Sequence, residues 1–459
     1  MTIKDRTGRS GDILRIGTGA GFQGDRIDPA VDLAERGALD YLVFECLAER
    51  TIALAQQARL ADPEAGYDPL LERRMRAVLP ACARNGTRIV TNMGAANPQA
   101  AARATRAVAR ELGLSGLKVA AVTGDDVLDR IGPCVLEETG APAAALGAGL
   151  VSANAYVGAA GIVAALEQGA DVVICGRASD PALFLGPLIH GFGWAMDDWV
   201  RLGRGTLVGH LLECSAQITG GYFADPGVKD VPDLARIGFP LAEVDRAGNA
   251  VITKLPGTGG LVTRATCTEQ LLYEIHDPAR YLQPDVVADF SGVELEEIGP
   301  DRVAVCGATG HPASGQLKVS VGYRDGWLGE GQISYAGANC VARGSLGIDL
   351  LRARLAPLGA AILEDRAELI GLDAIAPGAR VAAAAEPAEV RLRYAARCRD
   401  AATARQVGEE VEGLYLTGPA GGGGVTRQHR EILGIATAFL PAAQVAQQVE
   451  IMEGQDETA

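Results

Sequence analysis

Several side chains in this sequence are of types and at spacings that could move a proton. Glu45 follows the apolar run Tyr41-Leu42-Val43-Phe44, and Asp125 and Asp126 follow Leu117–Val122 across Thr123-Gly124. His210, Glu213 and Gln217 stand at i, i+3 and i+7 and therefore share one face of a helix. An imidazole and a carboxylate so placed make an acid–base pair or two metal ligands; a polar stripe on a half-exposed helix is the plainer alternative. No H-E-x-x-H and no third clustered histidine accompanies them, so no dedicated metal site is expected. Arg177 and Asp180 follow Val172-Val173-Ile174-Cys175, and Lys254 stands beside the glycine turn Gly257-Thr258-Gly259-Gly260. With Asp125, Asp126 or Glu45 as base, and Arg177, Lys254 or glycine-turn N–H groups as oxyanion donors, the set suits addition or removal of water next to a carbonyl. A nucleophilic serine elbow is absent, and no cysteine has a histidine nearby in sequence, so covalent catalysis has less support.

Two glycine loops could cradle an anion. The first, after Ile13-Leu14-Arg15-Ile16, has Gly19, Gly21 and Gly24 in the G-x-G-x-x-G spacing, with Glu45 placed to accept from a ribose hydroxyl. Asp25 and Arg26 intervene before the helix expected at Asp28-Pro29, which departs from a dinucleotide site and adds a carboxylate facing any pyrophosphate. The second, around Gly422 and Gly423, follows an expected strand over 411–417 and precedes an expected helix; it lacks the Gly-Lys-Ser/Thr ending of a P-loop.

The elements that must position these groups read as an α/β protein. Apolar runs at 40–45, 86–91, 117–122 and 170–175 alternate with helical segments, the pattern of a parallel sheet covered by helices on both faces. Polar residues gather where the runs end: Asp25 and Arg26, Glu45, Asn92, Asp125 and Asp126, Arg177 and Asp180. In such sheets ligands bind outside the strands' carboxyl ends, so these residues are expected to line one pocket, although Asp126 or Asp180 alone would pass as a helix cap. The expected organisation is a Rossmann-like α/β domain over 11–190, an α+β middle domain over 191–345, a C-terminal segment over 346–450 that packs back on the first domain, and an acidic tail over 451–459.

Composition narrows the partners. At 459 residues more than one domain is expected, and a formal charge of −15 argues against nucleic acid and anionic membranes, which need a basic face. Nine cysteines without a C-x-x-C pair sit mostly in apolar runs and read as reduced, buried residues of a cytoplasmic protein. No stretch approaches the ~20 apolar residues needed to span a bilayer.

In order along the chain, Gly19-x-Gly21-Phe22-x-Gly24-Asp25-Arg26, Thr91-Asn92-x-Gly94-x-x-Asn97-Pro98, Thr123-Gly124-Asp125-Asp126, Ala153-Asn154-Ala155-Tyr156-x-Gly158, Gly169-Ala170-Asp171-Val172-Val173-Ile174-x-Gly176-Arg177, Gly209-His210-x-x-Glu213-Cys214 and Thr253-Lys254-x-x-Gly257-Thr258-Gly259-Gly260 closely resemble the acyclic terpene utilisation family, AtuA. The resemblance runs from about residue 13 to about 450 and adds Asn154 to the candidate binding residues. It implies a setting in the breakdown of branched acyl-CoA esters. It also implies a separate small subunit of ferredoxin-like fold, because this sequence stops where the large domain of such proteins stops, and hence an oligomer. The expected function is a small-molecule enzyme, a hydro-lyase ahead of a hydrolase or isomerase, acting on a carboxylate or acyl-CoA. No cofactor is strongly implied, CoA entering only as part of the substrate. A nucleotide-dependent enzyme and a non-catalytic metabolite-binding subunit are the alternatives.

Overall fold

The computed structural model describes residues 12–372, 374–375 and 387–453. The chain forms two compact units, one of residues up to Gly322 together with those from Ile435, the other Tyr323–Gly434. The rest of the expected acidic tail, beyond Glu453, lies outside the described residues.

In the first unit, β1 (Ile13–Ala20), α1 (Asp28–Arg36), β2 (Tyr41–Phe44), α2 (Glu49–Ala61), α3 (Leu71–Asn85), β3 (Arg88–Thr91), α4 (Pro98–Glu111), β4 (Val119–Thr123), β5 (Leu150–Ala155), α5 (Ala160–Glu167) and β6 (Val172–Cys175) follow one another. Strands β1, β2, β3, β6 and β4 pair in parallel in that order. Their apolar runs are buried throughout β2 and β6 because both sheet faces are covered. Leu42, Phe44, Ile89 and Ile174 pack into one core with Leu33 of α1, Val78 of α3 and Ala101 of α4. The alternate residues Val43, Val90 and Val173 point to the other face, where α5 packs on α6 (Ala182–Phe192) and α6 on α7 (Trp199–Glu213).

The stretch expected as a middle domain extends this same sheet. β7 (Pro240–Asp245) pairs antiparallel with β1, and β8 (Ala250–Lys254), β12 (Arg302–Cys306) and β11 (Glu294–Gly299) continue outward from it. β18 (Gln448–Met452) pairs antiparallel with β4 at the opposite edge and completes ten strands. Between β8 and β12 lie α8 (Arg264–Leu272), β9 (Tyr281–Leu282) and β10 (Val287–Asp289); β13 (Thr309–His311) joins β10 and β9 in a three-stranded sheet.

The second unit holds β14 (Gln316–Ala336) from Tyr323, α9 (Cys340–Leu355), β15 (Ile362–Ile370), β16 (Glu389–Cys398), α10 (Ala401–Thr417) and β17 (Gly423–Pro441) to Gly434. Its strands lie in the order β15-β16-β14-β17, which with the βαββαβ succession is the ferredoxin-like arrangement. A fold of the kind that the resemblance assigns to a separate subunit thus stands within this chain. Here one expectation is overturned: residues 411–417 form the last turns of a helix, and the glycine run leads into strand β17. The local Val-Glu-Gly-Leu-Tyr-Leu-Thr run suits a strand, but Ala404, Val407, Val411 and Leu414 recur at helical spacing and all are buried. Asp400 caps the helix by accepting from Thr403 N at 2.9 Å.

Asp285, between β9 and β10, accepts from Ala159 N at 3.0 Å at the start of α5. Burial raises its carboxyl to about 6 from an ordinary 3.8. The folded chain therefore keeps this proton to a higher pH than the unfolded chain does, and the stabilising contribution present below about 4 is lost as pH rises through about 6. Asp285→Asn is expected to become progressively more stable than wild type over that interval in urea titrations; parallel stability curves would contradict the assignment.

Candidate functional site

Beyond the carboxyl ends of β2 and β6, a cavity of about 480 Å³ opens in the first unit, its lining including Glu49, Tyr156, Ser179, Asp180, Glu274, Tyr281, Gln283 and Lys318. Sharp turns after the short strands bring the buried groups behind it together. Arg177 is 1% exposed; its guanidinium donates to Leu47 O, to Ala178 O at 3.0 Å and to the Asp180 carboxylate, and it stacks on the Tyr156 ring with its central carbon 4.2 Å from the centroid. Asp180 itself is 36% exposed, on the cavity side.

Glu45, on the segment that Arg177 holds, accepts from Leu47 N at 2.8 Å and from Asn92 Nδ2 at 2.9 Å, while Asn92 Oδ1 accepts from Cys46 N at 2.8 Å. Asp125 supports the other side, accepting from Arg177 N at 2.9 Å and from Asn154 Nδ2 at 2.8 Å. Both residues therefore shape the backbone around Arg177 and do not line the cavity.

The carboxyl groups divide by environment. Burial raises Asp180, Glu45 and Glu213 above the usual range, each opposed by Arg177, and Asp180 adds its own repulsion to Glu45 and Glu213. Glu49 goes the other way: against burial, the Tyr156 hydroxyl and Lys318 hold it down at about 2. Lys318 Nζ lies 3.1 Å from Glu49 and 4.9 Å from the Tyr156 ring centroid. Carboxyls pushed apart in this way are the arrangement by which one site holds a proton donor and an ionised group at the same pH.

Other sequence candidates stand elsewhere. Asp126 accepts from Leu128 N at 3.2 Å and lies 3.9 Å from Arg59, away from the cavity lining. Arg26 is tied to Asp28 and to Ala235 O, and Lys254 to Thr258 O at 2.9 Å and Asp301 at 3.1 Å. Gly422 and Gly423 belong to the second unit. In the first glycine loop, Gly19 lies against Phe44 and Gly21 against Cys214 so closely that an added Cβ would sit 2.5 Å and 2.6 Å from them. Gly24 meets Phe22 in the same way. The Gly21 N–H is already taken by Asp25 Oδ2 at 2.9 Å, so the loop satisfies its own donor with its own carboxylate. The extra acid that set this loop apart from a dinucleotide fingerprint is thus the group occupying the amide.

Arg74, which sequence spacing did not single out, fixes this loop from α3. Fully buried, it donates to Gln23 O at 2.8 Å, to Asp25 O at 3.3 Å and to Asp68 at 3.2 Å. Arg74→Met is expected to lower the unfolding free energy by about 3 kcal/mol, because it leaves Asp68 buried without its counter-charge; denaturation by urea reads it, and an unchanged midpoint would contradict it.

His210 and Glu213 face each other on α7, Nδ1 to Oε1 at 3.0 Å, behind Tyr281, whose ring lies 5.4 Å from the imidazole. Among the described residues no group of three His, Cys, Asp or Glu side chains is placed to hold a metal ion, and no helix is long and apolar enough to cross a membrane.

The sequence pattern of the acyclic terpene utilisation family protein AtuA matches residues 14–451 of the 459. The chain belongs to this family. The match spans the cavity, the buried groups behind it and the ferredoxin-like unit alike. No curated protein and no solved structure matches the chain.

Proposed function

We propose that this AtuA protein is an enzyme of terpene catabolism whose cavity adds or removes water next to the carbonyl of a branched or unsaturated acid or its CoA ester. The observation that carries this is Asp180: a carboxyl at the cavity wall, raised by burial and oriented by the buried Arg177. A carboxyl whose proton affinity is raised in this way can give a proton to a leaving hydroxyl, and regains it when water is added in reverse. Glu274 on the same wall is the candidate acceptor of the proton from the carbon next to the carbonyl, and Lys318 the candidate partner of the developing oxyanion. The volume of about 480 Å³ suits a branched acyl chain, leaving the nucleotide part of any CoA ester outside.

Glu274 supports the reading in a second way. It holds a left-handed backbone, φ +59°, a conformation that costs a non-glycine residue about 1 kcal/mol or more. Glu274→Gly is therefore expected to match or exceed wild-type stability while losing turnover; a variant that keeps full turnover removes Glu274 from the mechanism.

The test is mass spectrometry after incubating the purified protein with branched 3-hydroxy acids, their unsaturated counterparts and the CoA ester of each. Gain or loss of water supports the proposal. Return of every compound unchanged overturns it, and release of CoA alone replaces it with thioester hydrolysis.

A further inference from the structure

His210 Nε2 lies 3.2 Å from Leu271 O, a carbonyl in the last turn of α8. A carbonyl only accepts, and one at a helix end lacks an intrahelical donor, so Nε2 must carry hydrogen. Nδ1, 3.0 Å from Glu213 Oε1, is then either the second N–H of an imidazolium beside a carboxylate or the bare nitrogen of a neutral ring facing a carboxylic acid.

The surroundings select the second state. His210 is 1% exposed and burial lowers it to about 4. Burial, then the Asp180 and Glu274 carboxylates, raise Glu213, with only Arg177 opposing. Tyr281 and Phe290 cover the imidazole, and Cys214 follows Glu213 directly. Glu213 Oε2 is buried with no hydrogen-bond partner among the described residues, a position far costlier for a carboxylate oxygen than for the carbonyl oxygen of a neutral acid. The pair also sits close to the reacting wall: α7 passes so near the loop after β6 that a Cβ on Gly209 would lie 2.7 Å from Pro181, the residue after Asp180.

We propose that Glu213 is a positioning residue, a carboxylic acid kept neutral by donating a hydrogen bond to His210 Nδ1, which leaves Asp180 and Glu274 as the groups at this wall that change charge during turnover. This rests on the reading of Asp180 given above. An ionised Glu213 would place a second negative charge behind Asp180 and hold the Asp180 proton too tightly to give up; the neutral pair fills the same space without that charge.

The test is nuclear magnetic resonance of the whole chain labelled with nitrogen-15 in histidine and carbon-13 in the aspartate carboxyls, signals being assigned by loss in His210→Gln and Asp180→Asn. From pH 6 to 8, roughly the interval where histidine ordinarily titrates, His210 is expected as a neutral ring protonated at Nε2. The Asp180 titration is expected at the same pH in wild type and in Glu213→Gln, whose amide can still donate to Nδ1. An imidazolium or an Nδ1-protonated ring at His210 overturns the proposal, as does an Asp180 midpoint about one unit lower in Glu213→Gln, a tenfold change in proton affinity. Neither readout needs turnover, so failure of this proposal is distinguishable from failure of the hydro-lyase reading.

Discussion

Asp180→Asn is expected to lower turnover by about 10²- to 10⁴-fold, the range lost when a positioned acid or base is removed. Asparagine has the shape of the neutral carboxyl that burial favours here, and its side-chain oxygen can still accept from Arg177, so the fold should survive. The loss then belongs to the missing proton and not to a collapsed site. The pH dependence follows the same sign. A donor with a raised proton affinity is active below its own midpoint, so wild-type turnover for dehydration falls as pH rises through it, and the residual activity of the variant lacks that fall. Steady-state rates across pH, with circular dichroism on the same samples, check both; a variant with wild-type rates would remove Asp180 from the chemistry.

Arg177→Met is expected to act on both stability and turnover. The guanidinium serves Leu47 O, Ala178 O and Asp180 while its backbone N–H serves Asp125. Methionine fills part of the volume but leaves two carbonyls without donors and Glu45, Asp180 and Glu213 without the positive charge that opposes their burial. Breaking a buried pair in this way costs about 3–5 kcal/mol. Arg177→Lys should recover part of that stability and less of the turnover, because one ammonium does not reproduce three directed bonds and a planar stack on Tyr156. Denaturant midpoints and rates for the two variants separate the effects, and equal stability in all three proteins would contradict this role.

The parallel half of the sheet was legible because its strands are short apolar runs ending in polar residues, most of them followed by a helix. Arg177 and Asp180 were legible for the same reason, since the turn after β6 places them locally. The rest of the cavity was not. Lys318 arrives on β14 and Tyr281 on β9, and no spacing within either run betrays a meeting with Tyr156 or His210. The glycine loop shows the converse: its spacing is that of an anion cradle, yet its own carboxylate, Asp25, accepts from the Gly21 amide. Val411–Thr417 failed for a third reason, because a short apolar run carries no length and only the wider spacing from Ala404 reveals the helix. Asp125, Glu45 and Asn92 were found as polar strand ends but act on backbone amides and neighbouring side chains, a distinction that needs the hydrogen bonds themselves.

The measurement that bears most directly on the account is deuterium incorporation, read by mass spectrometry, when wild type and Asp180→Asn are incubated in deuterated water with a branched α,β-unsaturated acid and its CoA ester. A hydrated product carrying one deuterium on the carbon next to the carbonyl is expected in wild type, with loss of nearly all of it in the variant. Equal deuteration by both proteins, or none by either, would contradict the claim that this cavity moves protons through Asp180.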